Sequence, residues 1–308
     1  MWAIKIFDDG GEEFNLGMLD LARQWGAGIE CALYADRGMG AAVDARLKSE
    51  FAGRPERALG LHLSHSKLSL LELSGQAWGP LQMEAAMAAR ERPDPMVAPA
   101  GVGALLLSGA ALRLAREAGW ARGSGARDAV VHFERGGGSG NGEWSSLDPG
   151  ACAKACRDVI DAADALGLRL HLEKTYESRA WLDAFFKQVA AQGQARKFGF
   201  TFDLGHSRVW EREPLAGWME SIARFDALGF GLHFHLHGNA GDADRHETLG
   251  FAQSMGWLDP DPEWAPEGAM PILREIQRLY ENKALLVLET GPERARENLG
   301  WVELAMRT

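Results

Sequence analysis

Six side chains able to bind a metal or move a proton stand at the ends of short apolar runs: His62, His132, Glu173, Asp203, His235 and Glu289. Two compact clusters add to them, Asp203-Leu204-Gly205-His206 and Asp244-Arg245-His246. Taken singly, each has an ordinary explanation, since a lone histidine hydrogen-bonds and a lone glutamate pairs with an arginine. Taken together they do not, because burying several acids and imidazoles in one place is costly without a cation to pair them. Oxygen and imidazole ligands without thiolates suit zinc, manganese, cobalt or non-haem iron, so the expected cofactor is a divalent metal.

The elements that must bring these residues together are legible as eight apolar runs. They are Trp2 to Phe7, Gly28 to Leu33, Leu59 to Leu63, Ala129 to Phe133, Leu168 to Glu173, Phe198 to Asp203, Phe230 to His237 and Ala284 to Glu289. Such lengths, bounded by glycine or charge, fit buried parallel strands. The connectors read as helices. Ala151 to Leu166 follows Asp148-Pro149, Ser178 to Ala191 opens on a capping serine, and Pro271 to Glu281 begins with proline in a first turn. A further apolar helix is expected from about Val102 to Gly119. Eight strands alternating with helices predict a single closed (β/α)8 TIM barrel over residues 1–308, in preference to an open doubly wound sheet. The segment at about 68–100 reads as an elaborated loop after the third strand, punctuated by Pro93, Pro95 and Pro99. Gly136 to Gly142 reads as a flexible loop that matches neither a dinucleotide fingerprint nor a P-loop.

In a parallel barrel the C-terminal strand ends converge on one face, where active sites are built. Strand parity then sorts side chains: Leu285, Val287 and Glu289 share a face, as do Thr201 and Asp203. His233, His235 and His237 share one too, and the pattern alone does not choose a ligand among them.

Composition narrows the partners. The 308 residues carry 33 basic and 43 acidic side chains, a formal charge of −10, and 46% are apolar. That excludes a disordered chain and argues against a surface that tracks nucleic-acid phosphates. No apolar stretch approaches a membrane span and no signal peptide is visible, so a cytoplasmic location is expected. Three cysteines make no disulfide framework, and Cys152 and Cys156 read as small packing side chains. No Gly-x-Ser-x-Gly occurs, and His246-Glu247-Thr248-Leu249-Gly250 lacks the second histidine of a zinc-protease helix.

Glu173, Phe202-Asp203-Leu204-Gly205-His206, His235-Leu236-His237-Gly238-Asn239 and Leu288-Glu289, together with Gly28-Ile29-Glu30, resemble the xylose isomerase-like barrel superfamily. That group includes sugar isomerases and epimerases, inosose dehydratases and endonuclease IV. The resemblance covers most of the chain from the second strand onward. It implies a metal held by Glu173, Asp203, His235 and Glu289. One position departs: Gly238 stands where the usual motif has an aspartate, so that role is either missing or supplied elsewhere, for example by Asp242 or Asp244. There is also a surplus, because His62, His132, His206, Asp244 and His246 match positions that complete a trinuclear zinc site in endonuclease IV. His237 joins these as a candidate for further metal or substrate contact.

Two enzyme classes follow, ahead of a binding barrel that would be expected to have lost ligands. The first expectation is a metal-dependent isomerase or epimerase of a small sugar or polyol, with Glu173 and Glu289 moving protons on opposite faces. The alternative is an endonuclease IV-like multi-zinc phosphoesterase, favoured by the ligand count and disfavoured for DNA by the acidic charge. Trp144, Trp210 and Trp257 are candidate walls for a sugar ring. Neither class needs an organic cofactor.

Overall fold

A computed structural model describes residues 1–34, 39–51, 59–63, 68–91, 106–134, 147–210 and 212–306. Eight strands pair in parallel in sequence order and close on themselves. They are β1 (Trp2–Phe7), β2 (Gly28–Ala32), β3 (Leu59–His62), β4 (Asp128–Val131), β5 (Arg169–Glu173), β6 (Phe198–Asp203), β7 (Gly231–Leu236) and β8 (Leu285–Leu288). Closure is made by β1 on β8, with Ile4 opposite Leu288. The chain is therefore a (β/α)8 barrel, and the sequence runs correspond to its strands within two residues.

Alternation divides each strand between two environments. One face carries Ile4, Ile29, Leu61, Leu170, Phe200, Phe234 and Leu286, all fully buried outside the barrel wall against the helices. Aromatic packing is densest where helices Arg179–Ala191 and Leu215–Leu228 cover β6, with the rings of Phe186 and Phe225 stacked at 4.5 Å. The other face carries Lys5, Glu30, His62, His171, Glu173, Asp203, His233 and His235, equally buried but polar. The barrel lumen is thus rich in ionisable side chains, alongside apolar Val130 and Val287, where branched apolar layers are usual for this architecture.

Several helix boundaries differ from expectation. The helix expected over Ala151 to Leu166 runs as Pro149–Ala155 and Arg157–Ala165 on either side of Cys156. The last-but-one helix spans Ala269–Tyr280, so Pro271 lies inside its first turn, where missing N–H donors have no intrahelical partner to lose. The helix expected from about Val102 is described over Gly109–Ser124 and stops at Gly125, whose φ of 94° ends the turn in the left-handed region. Residues 101–105 lie outside the described set. Between β3 and that helix, the stretch expected as loop holds two helices, Leu70–Ser74 and Pro80–Arg90. Ser69 caps the first and Pro80 opens the second, two start signals that the prolines further on had masked. The glycine-rich stretch 136–142 lies outside the described residues.

Candidate metal centre

Glu173 ends β5 with 1% of its surface exposed, and its two carboxylate oxygens face different neighbours. Oε2 lies 3.1 Å from Nε2 of His62 and 2.9 Å from Nε2 of His132. Oε1 lies 3.0 Å from Nδ1 of His235. That same Nδ1 is 2.8 Å from Oε2 of Glu289 and 3.8 Å from Oδ2 of Asp203. Ligand atoms of Glu173, Asp203, His235 and Glu289 all fall within 4.8 Å of one another, as do those of His62, His132 and Glu173. A further group, His206, His237, Asp244 and His246, meets the same criterion next to them. The ten ligand candidates marked from sequence, Glu173, Asp203, His235, Glu289, His62, His132, His206, His237, Asp244 and His246, thus all fall in these groups.

The three strand-seven histidines part company. His233 turns down the lumen to Glu30, at 3.1 Å. His235 enters the Glu173 group, and His237 lies 3.0 Å from Oδ1 of Asp203. The Asp244 carboxylate is 3.2 Å from His206 and 2.8 Å from His246. Asp242 instead pairs with Arg245 at the surface.

Local backbone chemistry explains this placement. Asp203 caps the helix Leu204–Val209 by accepting from the His206 N–H at 2.7 Å, which ties two candidate ligands to one turn. A Cβ on Gly205 would lie 2.0 Å from the His237 ring, so only glycine lets that ring cross the helix. A Cβ on Gly238 would lie 2.3 Å from Ala252 Cβ, and Gly238 bridges to Glu247, which folds the loop carrying Asp244 and His246 back over the mouth. His246 adopts a φ of +48°, an uncommon conformation for a non-glycine residue, and its ring stacks on His237 at 4.2 Å.

Electrostatics reflect crowding of acids against imidazoles. Burial alone would raise the Glu173 carboxyl, but the charges of His235 and His132 outweigh it and hold the group well below the usual carboxylate range. Glu289 behaves alike, held down by His235 and Lys5 against burial. Burial works to neutralise His206, yet Asp203, Asp244 and Glu173 push it up to about 10. Nδ1 of His237 is buried and makes no hydrogen bond. Buried carboxylates and an unbonded ligand atom beside a shared space fit a divalent cation.

Sequence reasoning missed three charged residues. Lys5, on β1, forms ion pairs with Glu30 (3.2 Å) and Glu289. Glu30, whose only sequence signal was the resemblance, touches both His233 and His235. Lys174 is wholly buried and donates to the carbonyls of Thr175, His206 and Trp210. A lone charge inside an apolar run was the available signal for Lys5.

Above the ligand groups lies a cavity of about 380 Å³ lined by Phe7, Tyr34, Tyr176, Trp210, Thr175 and Thr290 besides the histidines and acids. The Tyr176 and Trp210 rings meet at 4.5 Å. No lysine or arginine is among its described lining residues. Trp257 packs on Phe251 instead of lining it, and Trp144 is outside the described residues. A larger cavity, about 830 Å³, opens at the opposite end of the barrel between Trp2, Trp25, Arg127 and Arg169. Among the described residues, no helix is long and apolar enough to cross a membrane.

No family model matches the chain, and no curated protein matches it. Solved structures do. The TTHB071 protein from Thermus thermophilus, from crystals soaked with ZnCl2, is 24% identical with a TM-score of 0.59, covering 99% of this chain and 97% of its own. A D-tagatose 3-epimerase-like protein is 14% identical, TM-score 0.55, with 98% and 97% covered. Endonuclease IV from Thermus thermophilus is 15% identical, TM-score 0.54, with 99% and 97% covered. At these identities the likeness shows the fold alone, a closed (β/α)8 barrel shared with these proteins.

Proposed function

We propose that this chain is a multinuclear, divalent-metal-dependent hydrolase of a small phosphate ester. The observation that carries the reading is the split engagement of Glu173: one oxygen faces His62 and His132, the other faces His235. A carboxylate so placed bridges two ligand groups, and the group at His206, Asp244 and His246 abuts them. His62, His132 and Glu173 would hold one ion, Glu173, Asp203, His235 and Glu289 a second, and His206, Asp244 and His246 a third. Zinc, manganese, cobalt or iron fits such nitrogen and oxygen donors. When bound, adjacent cations neutralise phosphoryl oxygens and lower the pKa of water.

The chain's own groups set what enters. The aromatic pair Tyr176 and Trp210 offers a flat wall for a sugar or base ring, and Thr175 and Thr290 stand at the same cavity. A space of about 380 Å³ suits a small molecule and not a duplex. The formal charge of −10 and the lack of lysine or arginine among the described lining residues point the same way.

A second reading, a sugar or polyol isomerase or epimerase, is favoured by one observation: Glu173 and Glu289 reach the pocket from the separate strand ends of β5 and β8. Several structural neighbours are epimerases by name. Against it, both oxygens of Glu173 are engaged by imidazoles, and Glu289 is held by Lys5 and His235.

The test is metal analysis joined to two assays. More than one ion per chain, with metal-dependent cleavage of a chromogenic phosphate ester, supports hydrolysis. A single ion, with solvent deuterium entering the carbon skeleton of a keto sugar and no ester cleavage, would replace it by the isomerase.

A further inference from the structure

Glu30 sits in mid-strand on β2, away from the mouth, fully buried, with Lys5 as its register partner on β1. Oε2 lies 3.1 Å from Nε2 of His235, and Oε1 lies 3.2 Å from Nζ of Lys5. His235 is thereby gripped from below, while its Nδ1 looks up to Glu173 and Glu289 at 3.0 and 2.8 Å. Lys5 also reaches Glu289, so one ammonium ties the buried acid of β2 to the acid at the end of β8. An ionised carboxylate accepts hydrogen bonds only, so Glu30 holds a proton on Nε2, and a cation among Glu173, Asp203 and Glu289 would displace the other proton and take Nδ1.

We propose that Glu30 is a positioning residue: it fixes the tautomer and ring angle of His235 so that Nδ1 faces the metal, with Lys5 holding Glu30 and Glu289 in register. This rests on the metal centre proposed above. A carboxylate behind a ligating imidazole raises its basicity and fixes its orientation, and losing such a partner costs roughly 10–100-fold in metal affinity. The His233 ring comes within 3.1 Å of the same Oε2 without a hydrogen bond and fills the lumen below.

The experiment titrates cobalt(II) into metal-free wild type, Glu30→Ala and Glu30→Gln, following the visible absorption of the bound ion. The His235 ring protons are read by NMR in the zinc-loaded forms. The expected result is affinity weakened by roughly 10–100-fold in Glu30→Ala, a changed cobalt spectrum, and loss of the slowly exchanging Nε2–H signal. Glu30→Gln keeps an acceptor oxygen and restores most of the affinity and that signal. Removing Glu30 alone unbalances Lys5, so the charge-neutral pair Lys5→Met with Glu30→Leu serves as the variant that folds. Its affinity also falls. Wild-type affinity and an unchanged cobalt spectrum in either Glu30→Ala or the paired variant would overturn the positioning role alone. A wild-type chain that takes up no metal would remove both the proposed function and this role.

Discussion

The Lys174 ammonium lies 2.8 Å from the carbonyl oxygen of Trp210, the residue that closes the helix bearing His206. Because it also holds the His206 carbonyl at 3.2 Å, one buried cation ties down the far end of the turn that Asp203 starts. Lys174→Met would leave these acceptors and the Thr175 carbonyl without their donor. The expected cost is about 2–4 kcal/mol, read as a lower denaturant midpoint. Metal bound at His206 should weaken with it, measurable by competition with a chromophoric chelator.

Ion count by elemental analysis separates the ligand groups. His132→Ala is expected to lose one ion while the others stay, and His246→Ala to lose a different one. Glu173→Gln loses more than one, because its two oxygens serve two groups. An equal loss in all three variants would speak against separate ions.

Gly238→Ala tests the loop that carries Asp244 and His246. Its new methyl meets Ala252 Cβ at 2.3 Å, an overlap costing about 1–3 kcal/mol. Asp244 and His246 shift, so their ion is lost before the one at Glu173. Crystallography of the zinc-loaded variant reads this directly.

Trp210→Ala removes half of the aromatic wall. KM for a ring-bearing substrate is expected to rise several-fold with kcat changed less, since the ring binds and does not react. Tyr176→Ala should do the same, and the two effects should not add, because the rings touch.

At the other end of the barrel, Asp128 lies 2.8 Å from His171 and 2.7 Å from Arg169. Burial raises its carboxyl, but His171 and Arg169 outweigh burial and hold it well below the usual range. A depressed pKa in the folded state stabilises above the unfolded value, near 4, and that stability fades as pH falls below it. Asp128→Asn is therefore less stable than wild type at pH 7, and the gap narrows under acid. Urea unfolding at pH 7, 5 and 3 measures it.

Strand positions were legible because the runs are apolar on the outward face and most carry a polar residue at or near the end, as Leu170-His171-Leu172-Glu173 does. Site residues were legible where they stood at strand ends, since the barrel brings those ends together whatever the loops do. Lys5 and Glu30 were not, because they lie mid-strand and mattered only once β1 and β2 were registered side by side. The return of Asp244 depended on the bridge between Gly238 and Glu247, a contact with no periodicity to read. The helices at Leu70–Ser74 and Pro80–Arg90 were hidden by short length and nearby prolines.

A barrel whose lumen is largely ionisable and whose hydrocarbon lies mostly outside the wall has two energetic compartments separated by one layer of backbone. Substitutions in the two should behave additively when they share no contact. Exchanging Phe186, packed outside β6, changes folding energy and leaves the ion affinities alone. Exchanging Glu30 together with Lys5 in the lumen is expected to change ion affinity without leaving a buried charge unpaired. The chemistry at the mouth is thus open to retuning from beneath while the hydrophobic shell that specifies the fold stays untouched.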